Sequence, residues 1–388
     1  MVAEHIQTAL SIDKSAWKKV TLGEVVKEVR ETAKDPVAEG LERVIGLEHL
    51  ESESLHIKSW GSIADATTFT KKFRKGQMLF GRRRAYLRKA ALATFDGICS
   101  GDITVLEAKN GLIPELLPFL IQNDKFFELA IKNSAGSLSP RAKFNDFADY
   151  EFLLPPKDQQ AQIAELLWAG DEMIEKSHSL ISSLSLAMSA YKKETFTQDG
   201  FETKGIMDIA SVKRGRFSPR PRNDPRYFGG HIPFIQTSEV IEAKKYINRY
   251  SRTLNDEGLA VSKMFHQGTI AMAIAGTYVG SCGILNFDSA FTDSIIGIQS
   301  KQDIISQSYL FYYLRFYEKA IDALATEVAQ RNLSLESFKN FSVRFPKSLI
   351  DQENIASQLD QFESAIGSNE TQHSNAKFLQ KSLINQFF

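Results

Sequence analysis

One short pattern occurs twice in this chain of 388 residues, and the interval between its copies constrains the fold more than any other feature. The first copy is "DQQAQIAELL", which begins at Asp158, and the second is "DQENIASQLD", which begins at Asp351. Gln160 aligns with Gln352 and Leu167 with Leu359, so the copies lie 192 residues apart (352 − 160 = 192). Because this interval is close to half of the chain, it predicts that the whole protein is doubled.

The same interval joins further positions on both sides of the pattern. Gly76 aligns with Gly268, and Phe196 aligns with Phe388. A shift of one residue aligns "FADYEFLLP" with "FKNFSVRFP", and a shift of two aligns "VIGLEHL" with "FIQTSEV". Matches that keep their order along the chain favour an internal repeat over coincidence.

Each copy has the same order of predicted elements. Short apolar segments such as "GQMLFG" and "GTIAMAIAG" are separated by turn residues, which is typical of β-strands. Prolines close both strand-rich regions, and a long proline-free segment with little glycine follows each of them, which predicts a helix. We therefore predict an α+β chain in four parts: a mixed α/β domain (1–156), a long helix (157–196), a second mixed α/β domain (197–346) and a second long helix (347–388).

Apolar residues recur at seven-residue intervals in both helical segments, in two series four residues apart, as in the seam of a coiled coil. Because a lone helix cannot bury an apolar stripe, we predict that the two helices pair with each other, either parallel or antiparallel. An antiparallel pair would relate the copies by a pseudo-twofold axis. The alternative is that each helix packs on its own domain. Gln160 and Gln352, at the helix starts, are expected to contact the domain across the pseudo-twofold. The predicted seam consists of Ile163, Leu167, Ile174, Ile181, Leu184, Met188, Ile355, Leu359, Phe362, Ile366 and Leu383.

The formal net charge is zero, but the charged residues are unevenly distributed. Lys71–Lys89 contains nine basic residues and no acidic one, and Lys213–Arg226 contains six basic residues and one acid. The first predicted helix instead carries six acids and four bases between Lys157 and Phe196. Segregated charge of this kind predicts separate faces for separate partners.

The composition also indicates a compartment. Two cysteines, Cys99 and Cys282, are too few for a disulfide framework or a zinc site. The longest apolar stretches, such as "LLPFLI", fall far short of the roughly 18 residues that cross a membrane. The amino-terminal sequence lacks the basic region and apolar core of a secretory signal. A cytoplasmic protein is therefore expected.

These features together resemble the specificity subunit of type I restriction-modification systems. The motifs that carry the resemblance are "LLPPKDQQAQIAELL" and "RFPKSLIDQENIASQL" at the helix starts. The segment "FRKGQMLFGRRRAYLRKAALATFDGICSGDITVL" and its counterpart "FHQGTIAMAIAGTYVGSCGILNFDSAFTDSIIGI" look like parts of target recognition domains. The resemblance covers about residues 17–388, and the order and duplication of the motifs are more specific than any single motif.

The resemblance implies that each globular domain reads one half of a bipartite, asymmetric site in double-stranded DNA. The helices would form an antiparallel coiled coil that sets the gap between the halves, since a helix of about 60 Å exceeds one DNA turn of about 34–36 Å. Two DNA adenine methyltransferase subunits would dock on the chain, and a motor-nuclease (restriction) subunit could join for cleavage. S-adenosylmethionine, ATP and magnesium would then belong to the partner subunits, and no cofactor or metal is expected in this chain.

The run "KKFRKGQMLFGRRRAYLRK" is the densest candidate for a DNA contact. Arginine can bind a guanine edge through two donors, and lysine neutralises phosphate. In a strand, Arg82, Arg84 and Tyr86 would share one face and Arg83 would lie on the other. The alternative is a solvated basic face without a partner. The predicted DNA-binding residues of the first domain are Arg82, Arg83, Arg84, Tyr86, Arg88 and Lys89.

The second copy lacks this run, and its basic cluster lies earlier, in "KRGRFSPRPRNDPR". Three prolines make the segment loop-like, so a mobile basic loop is the alternative to a DNA contact. "QTSEV" follows a predicted strand and could reach base edges, although such residues are common in any turn. The predicted DNA-binding residues of the second domain are Lys213, Arg214, Arg216, Arg220, Arg222, Gln236, Thr237 and Ser238. Different contact residues in the two domains are what two different half-sites require.

One pattern imitates an enzyme. Asp96, Glu107 and Lys109 have the spacing of a metal-dependent nuclease, but the second copy has Gln299 opposite Glu107, which favours an ordinary strand-end charge pattern. The sequence contains no phosphate-binding loop, no His-Glu-x-x-His and no Cys-x-x-Cys. "LPPK" also lacks the Asn or Asp and the aromatic residue of the amino-methyltransferase motif. We interpret the chain as a non-catalytic specificity subunit; the alternatives are a non-specific DNA-binding scaffold of the same architecture and, less favoured, a magnesium-dependent nuclease.

Overall fold

The computed structural model describes residues 13–65, 68–134, 139–325 and 331–388. Residues 1–12, part of the amino-terminal sequence in which no secretory signal is predicted, lie outside the described ranges. The strands of the first half are β1 Lys18–Thr21, β2 Val26–Val29, β3 Arg43–Ile45, β4 Gly61–Ser62, β5 Lys71–Phe73, β6 Met78–Gly81, β7 Ala90–Leu92, β8 Gly97–Cys99, β9 Ile103–Ala108 and β10 Glu151–Leu154. Its helices are Leu22–Val25, Leu117–Ile121, Asp124–Lys132, Phe144–Phe147 and the first long helix, Lys157–Thr197.

The second half repeats this order. Its strands are β11 Glu202–Gly205, β12 Ala210–Arg214, β13 Phe228–Ile235, β14 Tyr246–Ile247, β15 Arg252–Leu254, β16 Met264–Phe265, β17 Ile270–Ala273, β18 Cys282–Leu285, β19 Ser289–Phe291, β20 Ile295–Ser300 and β21 Ser342–Phe345. Its helices are Ile206–Ile209, Thr237–Glu242, Asp256–Ala260, Gln307–Phe316, Glu318–Asp322, Leu335–Lys339 and the second long helix, Leu349–Phe387. Single 3₁₀ turns occur at Leu47–His49, Ile63–Asp65, Ala85–Leu87, Pro114–Leu116 and Pro225–Tyr227.

Each half forms three sheets, and their strand orders correspond except that β14 adds a fifth strand to one sheet of the second half. The first has β1-β10, β2-β9-β6-β7 and β4-β3-β8-β5, and the second has β11-β21, β12-β20-β17-β18-β14 and β15-β13-β19-β16. The third sheet of each half contains one parallel pair, with Val44 opposite Ile98 in the first half and Phe234 opposite Ala290 in the second. The predicted internal repeat and the α+β fold class are therefore confirmed.

The 192-residue interval holds best in the central strands. β6, β8 and β9 begin 192 residues before β17, β19 and β20 (78 + 192 = 270; 97 + 192 = 289; 103 + 192 = 295). β6 and β17 are buried at all four positions, which explains their continuous apolar sequence. β10 and β21 alternate exposed and buried residues, as strands with one covered face do. Insertions between the halves therefore lie in the connections and not in these strands.

The chain divides into two compact units. Unit 1 contains the described residues up to Ser179 together with Glu370–Phe388, and unit 2 contains Leu180–Asn369. Each unit thus includes one globular domain and segments of both long helices. The boundaries of the four-part functional division stay a prediction.

The core of unit 1 contains the carboxy-terminal end of the second long helix. Phe387 and Phe388 are 2% and 6% exposed, and they pack in the same cluster as Phe126 and Phe147. The Tyr150 hydroxyl donates to the Phe388 carbonyl at 3.3 Å. The first domain is therefore completed by residues from the end of the other copy.

Unit 2 has the corresponding arrangement. Phe196, near the end of the first long helix, is fully buried. Its ring centroid lies 5.6 Å from that of Tyr309, 5.5 Å from that of Tyr313 and 5.3 Å from that of Phe316. The alignment of Phe196 with Phe388 therefore has a physical cause, since both residues fill the aromatic core of a globular domain.

The glutamines at the helix starts contact their own domains, so the expectation that they contact the domain across the pseudo-twofold is wrong. The Gln160 side chain accepts from the Ile113 amide at 2.9 Å and donates to the Pro155 carbonyl at 2.9 Å. The Gln352 side chain accepts from the Ser306 amide at 2.7 Å and donates to the Pro346 carbonyl at 2.8 Å. An amide can donate and accept at once, so each glutamine satisfies a carbonyl in the loop just before its helix and a backbone N–H in the segment after β9 or β20.

The long helices run antiparallel within unit 1. Gln380 donates to the carbonyl of Leu167 at 3.2 Å, and a ring nitrogen of His373 lies 3.2 Å from the carbonyl of Ile174. Residue numbers therefore fall on one helix as they rise on the other, which confirms the predicted direction. In unit 2 the same two helices meet at Tyr191 and Phe362, whose ring centroids are 6.0 Å apart.

The eleven predicted seam residues are all buried or half-buried. Ile163 and Leu167 belong to the core of the first domain, and Ile355 and Leu359 pack in the core of unit 2. Helix pairing and packing on the helix's own domain therefore occur at different positions of the same stripe. In the described part of the chain, no helix has the length and hydropathy of a membrane span. Both cysteines are buried free thiols, and burial raises the pKa of each to about 12.

Phe387→Ala is expected to destabilise the first domain by about 3–5 kcal/mol, because it removes a buried aromatic ring from a packed core. Urea unfolding of the full chain, followed by hydrogen exchange in β6 and β9, measures this change. Phe378→Ala is the matched control, since Phe378 lies on the same helix and is 67% exposed. Equal destabilisation by the two substitutions would contradict the assignment.

A polar cluster lies beside the helix pair in unit 1. The His56 Nε2 atom is 2.7 Å from a carboxylate oxygen of Asp171, which is 6% exposed. The hydrogen bond to Asp171 raises the pKa of His56, against the opposing effect of burial. Glu175, Lys58 and two further histidines line the same cavity.

His56 should stabilise the fold in a pH-dependent manner. Its folded pKa is raised above the unfolded value of about 6.5, so its contribution is fully present below that value and is lost as pH rises through the folded pKa. His56→Ala should therefore lower the melting temperature more at about pH 6 than at about pH 9. His231→Ala, at an exposed histidine, serves as the control. A decrease that is the same at both pH values would show that the ion pair contributes nothing.

Candidate nucleic-acid interface

The basic run of the first domain is not a single strand, so the predicted alternation of Arg82, Arg84 and Tyr86 against Arg83 is wrong. β6 ends at Gly81, and the 3₁₀ turn Ala85–Leu87 follows it. Arg84 and Arg88 flank this turn with φ values of 55° and 50°, which is left-handed backbone. The two-residue alternation of a strand requires extended backbone, so it stops at this turn.

The turn presents exposed side chains of two kinds. Arg84 is exposed, and Tyr86 and Leu87 are 53% and 40% exposed. Among the described residues, the side chains of Arg84 and Tyr86 have no hydrogen-bond or ion-pair partner. A guanidinium group and an aromatic ring are therefore available together for a charged and planar ligand.

The next two basic residues are held by the domain itself. Arg88 pairs with Asp124, and it also lies 3.5 Å from a carboxylate oxygen of Glu53. Burial alone would raise the pKa of Asp124, but hydrogen bonds from Lys381 and Arg88 lower this pKa to about 2. Lys89 donates to the carbonyl of Leu47 at 2.7 Å. Their DNA contacts stay a prediction, and these geometries give both residues a structural role.

Two arginines lie close to a carboxylate on the turn between β8 and β9. Asp102 accepts from Arg141 Nε at 2.7 Å, and its second oxygen lies 3.6 Å from Arg83 Nη1. Arg83 also donates to the hydroxyl of Ser139 at 2.6 Å. Arg82 is half-buried, and its Nε atom is buried without a hydrogen-bond partner in the described part of the chain. Sequence reasoning missed Arg141 because a single arginine, far from the basic run, carries no signal of its own.

The basic segment of the second domain begins on β12 and continues as a loop. Lys213 is exposed on this strand, and Arg214 donates to the Asp293 carbonyl at 2.6 Å. Arg216 donates to the carbonyl of Ser262 at 3.0 Å, and Arg220 donates to that of Pro219 at 2.8 Å. Carbonyl oxygens thus fix the directions of three of these arginines, and two of the three, Arg214 and Arg220, lie beside Asp293 in the β19–β20 turn.

Arg222 and Gln236 lie at a common pocket. Its polar lining includes both of these residues together with Arg252 and Asp293, which sequence reasoning missed. Asp293 follows β19 by two residues, and an acid at the end of a short strand is too common to single out. Pairing of Arg222 with this acid, 71 residues away in the chain, becomes visible only in the fold.

The other two predicted DNA contacts in "QTSEV", Thr237 and Ser238, lie at the start of a helix. Thr237 is the first residue of the helix Thr237–Glu242, and the Ser238 hydroxyl donates to Glu239 at 2.9 Å. The Glu239 carboxylate also accepts from the backbone N–H of Gln236 at 3.1 Å, and this hydrogen bond caps the helix. Base contacts by Thr237 and Ser238 stay a prediction.

The three residues of the nuclease-like pattern have separate contacts. A carboxylate oxygen of Asp96 accepts from the Lys75 amide at 2.7 Å. The hydrogen bond from Lys27 holds the pKa of Glu107 below its usual range, and Lys109 donates to the carbonyl of Gly23. In the ranges that the structure describes, no group of three His, Cys, Asp or Glu side chains is placed to hold a metal ion.

Comparisons with known proteins agree on one family. A profile described as "Type I restriction modification DNA specificity domain" matches residues 14–184 and again residues 198–377. The "Type I restriction enzyme MjaVIII specificity subunit" of Methanocaldococcus jannaschii is 21% identical over 74% of this chain and 73% of its own length. The fold resembles the type I restriction-modification S subunit from M. genitalium (TM-score 0.65, 15% identity, 98% of both chains). It also resembles the HsdS subunit from Thermoanaerobacter tengcongensis (TM-score 0.50, 19% identity, 98% of both chains).

Arg84→Ala should weaken DNA binding and reduce the slope of log affinity against log salt by about 1, because one exposed charge is lost. The melting temperature should not change. Arg88→Ala should instead leave DNA binding unchanged and lower the melting temperature, since it leaves Asp124 without one of its partners. Fluorescence anisotropy at several salt concentrations and thermal unfolding, each on both variants, test the pair. If Arg88→Ala weakened DNA binding at unchanged stability, the structural role of Arg88 would be refuted.

Proposed function

The chain belongs to the family of type I restriction-modification DNA specificity domains, its function is that of a DNA sequence-specificity subunit, and we propose that each globular domain reads one half of a bipartite DNA site. The observation that carries the proposal is duplication with divergence. The two domains share their sheets and strand order. Their basic side chains nevertheless lie on different elements and are fixed by different partners, so the two half-sites differ in sequence.

The first domain offers the exposed turn at Arg84 and Tyr86. The second offers the arginine and proline loop that follows Lys213. Phosphate contacts position a protein on DNA, whereas base contacts specify the sequence. We assign phosphate contacts to the exposed Lys213 and Arg84, and base or sugar contacts to Arg222 and Tyr86. The neutral net charge of the chain is compatible with this assignment, because local basic surfaces are sufficient to attract DNA.

The long helices have two proposed roles. They contain 41 and 39 residues, which corresponds to about 60 Å each, and their length would determine how many base pairs between the half-sites are not read. Exposed apolar residues on the first long helix, Leu166 and Met173 in unit 1 and Leu186 in unit 2, support docking of partner subunits. Large apolar side chains outside a core commonly mark protein interfaces.

We propose that the docked partners are two DNA adenine methyltransferase subunits, to which a motor-nuclease subunit can be added. The membership of this chain in a recognition family supports the placement of catalysis in those partners. S-adenosylmethionine would be bound by the methyltransferase subunits, and ATP and magnesium by the motor-nuclease. The buried free thiols and the DNA partner support a cytoplasmic site of action. The alternative functions, a non-specific scaffold and a nuclease, have no support in the comparisons.

Exchange of the second domain for that of a relative should change the second half of the methylated motif and leave the first half and the gap unchanged. Methylome sequencing of cells that contain the methyltransferase partner, with and without this chain, gives the motif directly. A chimera in which the first domain is exchanged is the matched control and should alter the other half only. If both chimeras methylated the wild-type motif, the division of recognition between the domains would be wrong.

A further inference from the structure

A small pocket lies in the second domain where two parallel strands end side by side. β13 and β19 pair in parallel, so Gln236 and Asp293, which follow them, lie at the same edge of the sheet. The pocket has a volume of about 150 Å³, and a cavity of this size holds one six-membered ring. The buried rings of Phe217 and Phe234 line it, with their centroids 5.0 Å apart.

Polar side chains surround these rings. Two guanidinium groups, Arg222 and Arg252, and two amides, Asn223 and Gln236, supply hydrogen-bond donors, whereas Asp293 is the only carboxylate in the lining. The composition fits a planar aromatic ligand with acceptor atoms along one edge. In the major groove of DNA, guanine presents two acceptors side by side, O6 and N7, and arginine is the side chain that most often binds them.

Asp293 fixes the direction of Arg222. Both carboxylate oxygens accept from Arg222 Nη2, each at 2.8 Å. In the part of the chain that the structure describes, Nε and Nη1 of Arg222 make no hydrogen bond, so both remain for a ligand. Nη1 lies on the Cδ side of the guanidinium group and Nε–H points to the other side, so these nitrogens serve separate acceptors and not one base edge. The Arg222 side chain is 54% exposed, and an exposed ion pair contributes little to stability. Orientation of the guanidinium group is therefore the main consequence of this pair.

The first domain has a comparable device at the corresponding turn. Ile103 donates to the carbonyl of Ser100, as Ile295 donates to that of Thr292, and these two pairs are 192 residues apart. The turn of the first domain carries Asp102, whose carboxylate accepts from Arg141 and lies near Arg83. In both domains, a single aspartate on the same turn therefore orients arginines that come from other elements.

We propose that Arg222 binds a guanine of the second half-site at this pocket and that Asp293 is its positioning residue. The proposal rests on the proposed function, because it names the contact through which the second domain distinguishes one base. Arg222 Nη1 donates to one acceptor of the base edge, and the side-chain amide of Gln236, which lines the same pocket, donates to the neighbouring acceptor.

The test is methylome sequencing with the full chain and its methyltransferase partner. Arg222→Gln should reduce discrimination at one position of the second half-site by about 10- to 150-fold, the range for loss of one hydrogen bond from a charged donor. Asp293→Asn should relax the same position less strongly. The double variant should discriminate no worse than Arg222→Gln alone, because a residue that acts only through Arg222 has no effect once Arg222 is gone.

Arg226→Gln and Asp224→Asn are the matched controls. Arg226 and Asp224 form the same kind of ion pair in the same loop, at 2.8 Å, but they do not line the pocket. Neither control should change a letter of the motif. Unchanged letters in Arg222→Gln, with uniformly weaker methylation and a smaller salt slope, would show a phosphate contact and overturn the proposal. A wild-type chain that directs methylation without any bipartite motif would instead refute the proposed function.

Discussion

Burial of an aromatic side chain at the far end of each long helix is the contact on which the rest of the architecture depends. Phe196, from the first copy, fills the core of the second domain, and Phe388, from the second copy, fills the core of the first domain. A helix with a single apolar stripe is not stable by itself, so each needs cover along its length and an anchor at its end. Gln160 and Gln352 provide the anchor at the other end, through buried hydrogen bonds. Helix length is thereby fixed at both ends, as a spacer requires.

The repeat could be predicted from sequence because its physical cause is local. Strands that are buried on both faces, such as β6 and β17, and helix starts with one buried glutamine tolerate few changes of size or polarity. The matched positions therefore survived in fixed order and at a fixed interval. The partner of each glutamine could not be predicted, because the same amide could satisfy backbone groups of either domain. Only the fold shows that the loop just before each helix supplies the carbonyl, and that the segment after β9 or β20 supplies the amide.

The basic run was harder to interpret, and backbone conformation explains why. Arg84 and Arg88 are left-handed although neither is a glycine, and nothing in the sequence marks such positions. Aspartates far away in the chain then decide which arginines stay free. Asp124 engages Arg88, and Asp102 lies beside Arg83, so a charge count over the run overstates what is available to DNA. Sequence shows the sum of the charge, whereas the fold shows its distribution among internal and external partners.

This distribution separates stability from recognition. The groups that hold each domain together are buried aromatic rings and satisfied amides, and they occur at corresponding positions in both copies. The candidate base contacts are exposed ion pairs on loops and turns, and pairs of this kind contribute little to the free energy of unfolding. A substitution at Arg222 or Asp293 therefore changes what the second domain presents without removing a core contact. One scaffold, used twice, can in this way carry two different specificities, because the residues that build it are not the residues that distinguish the bases.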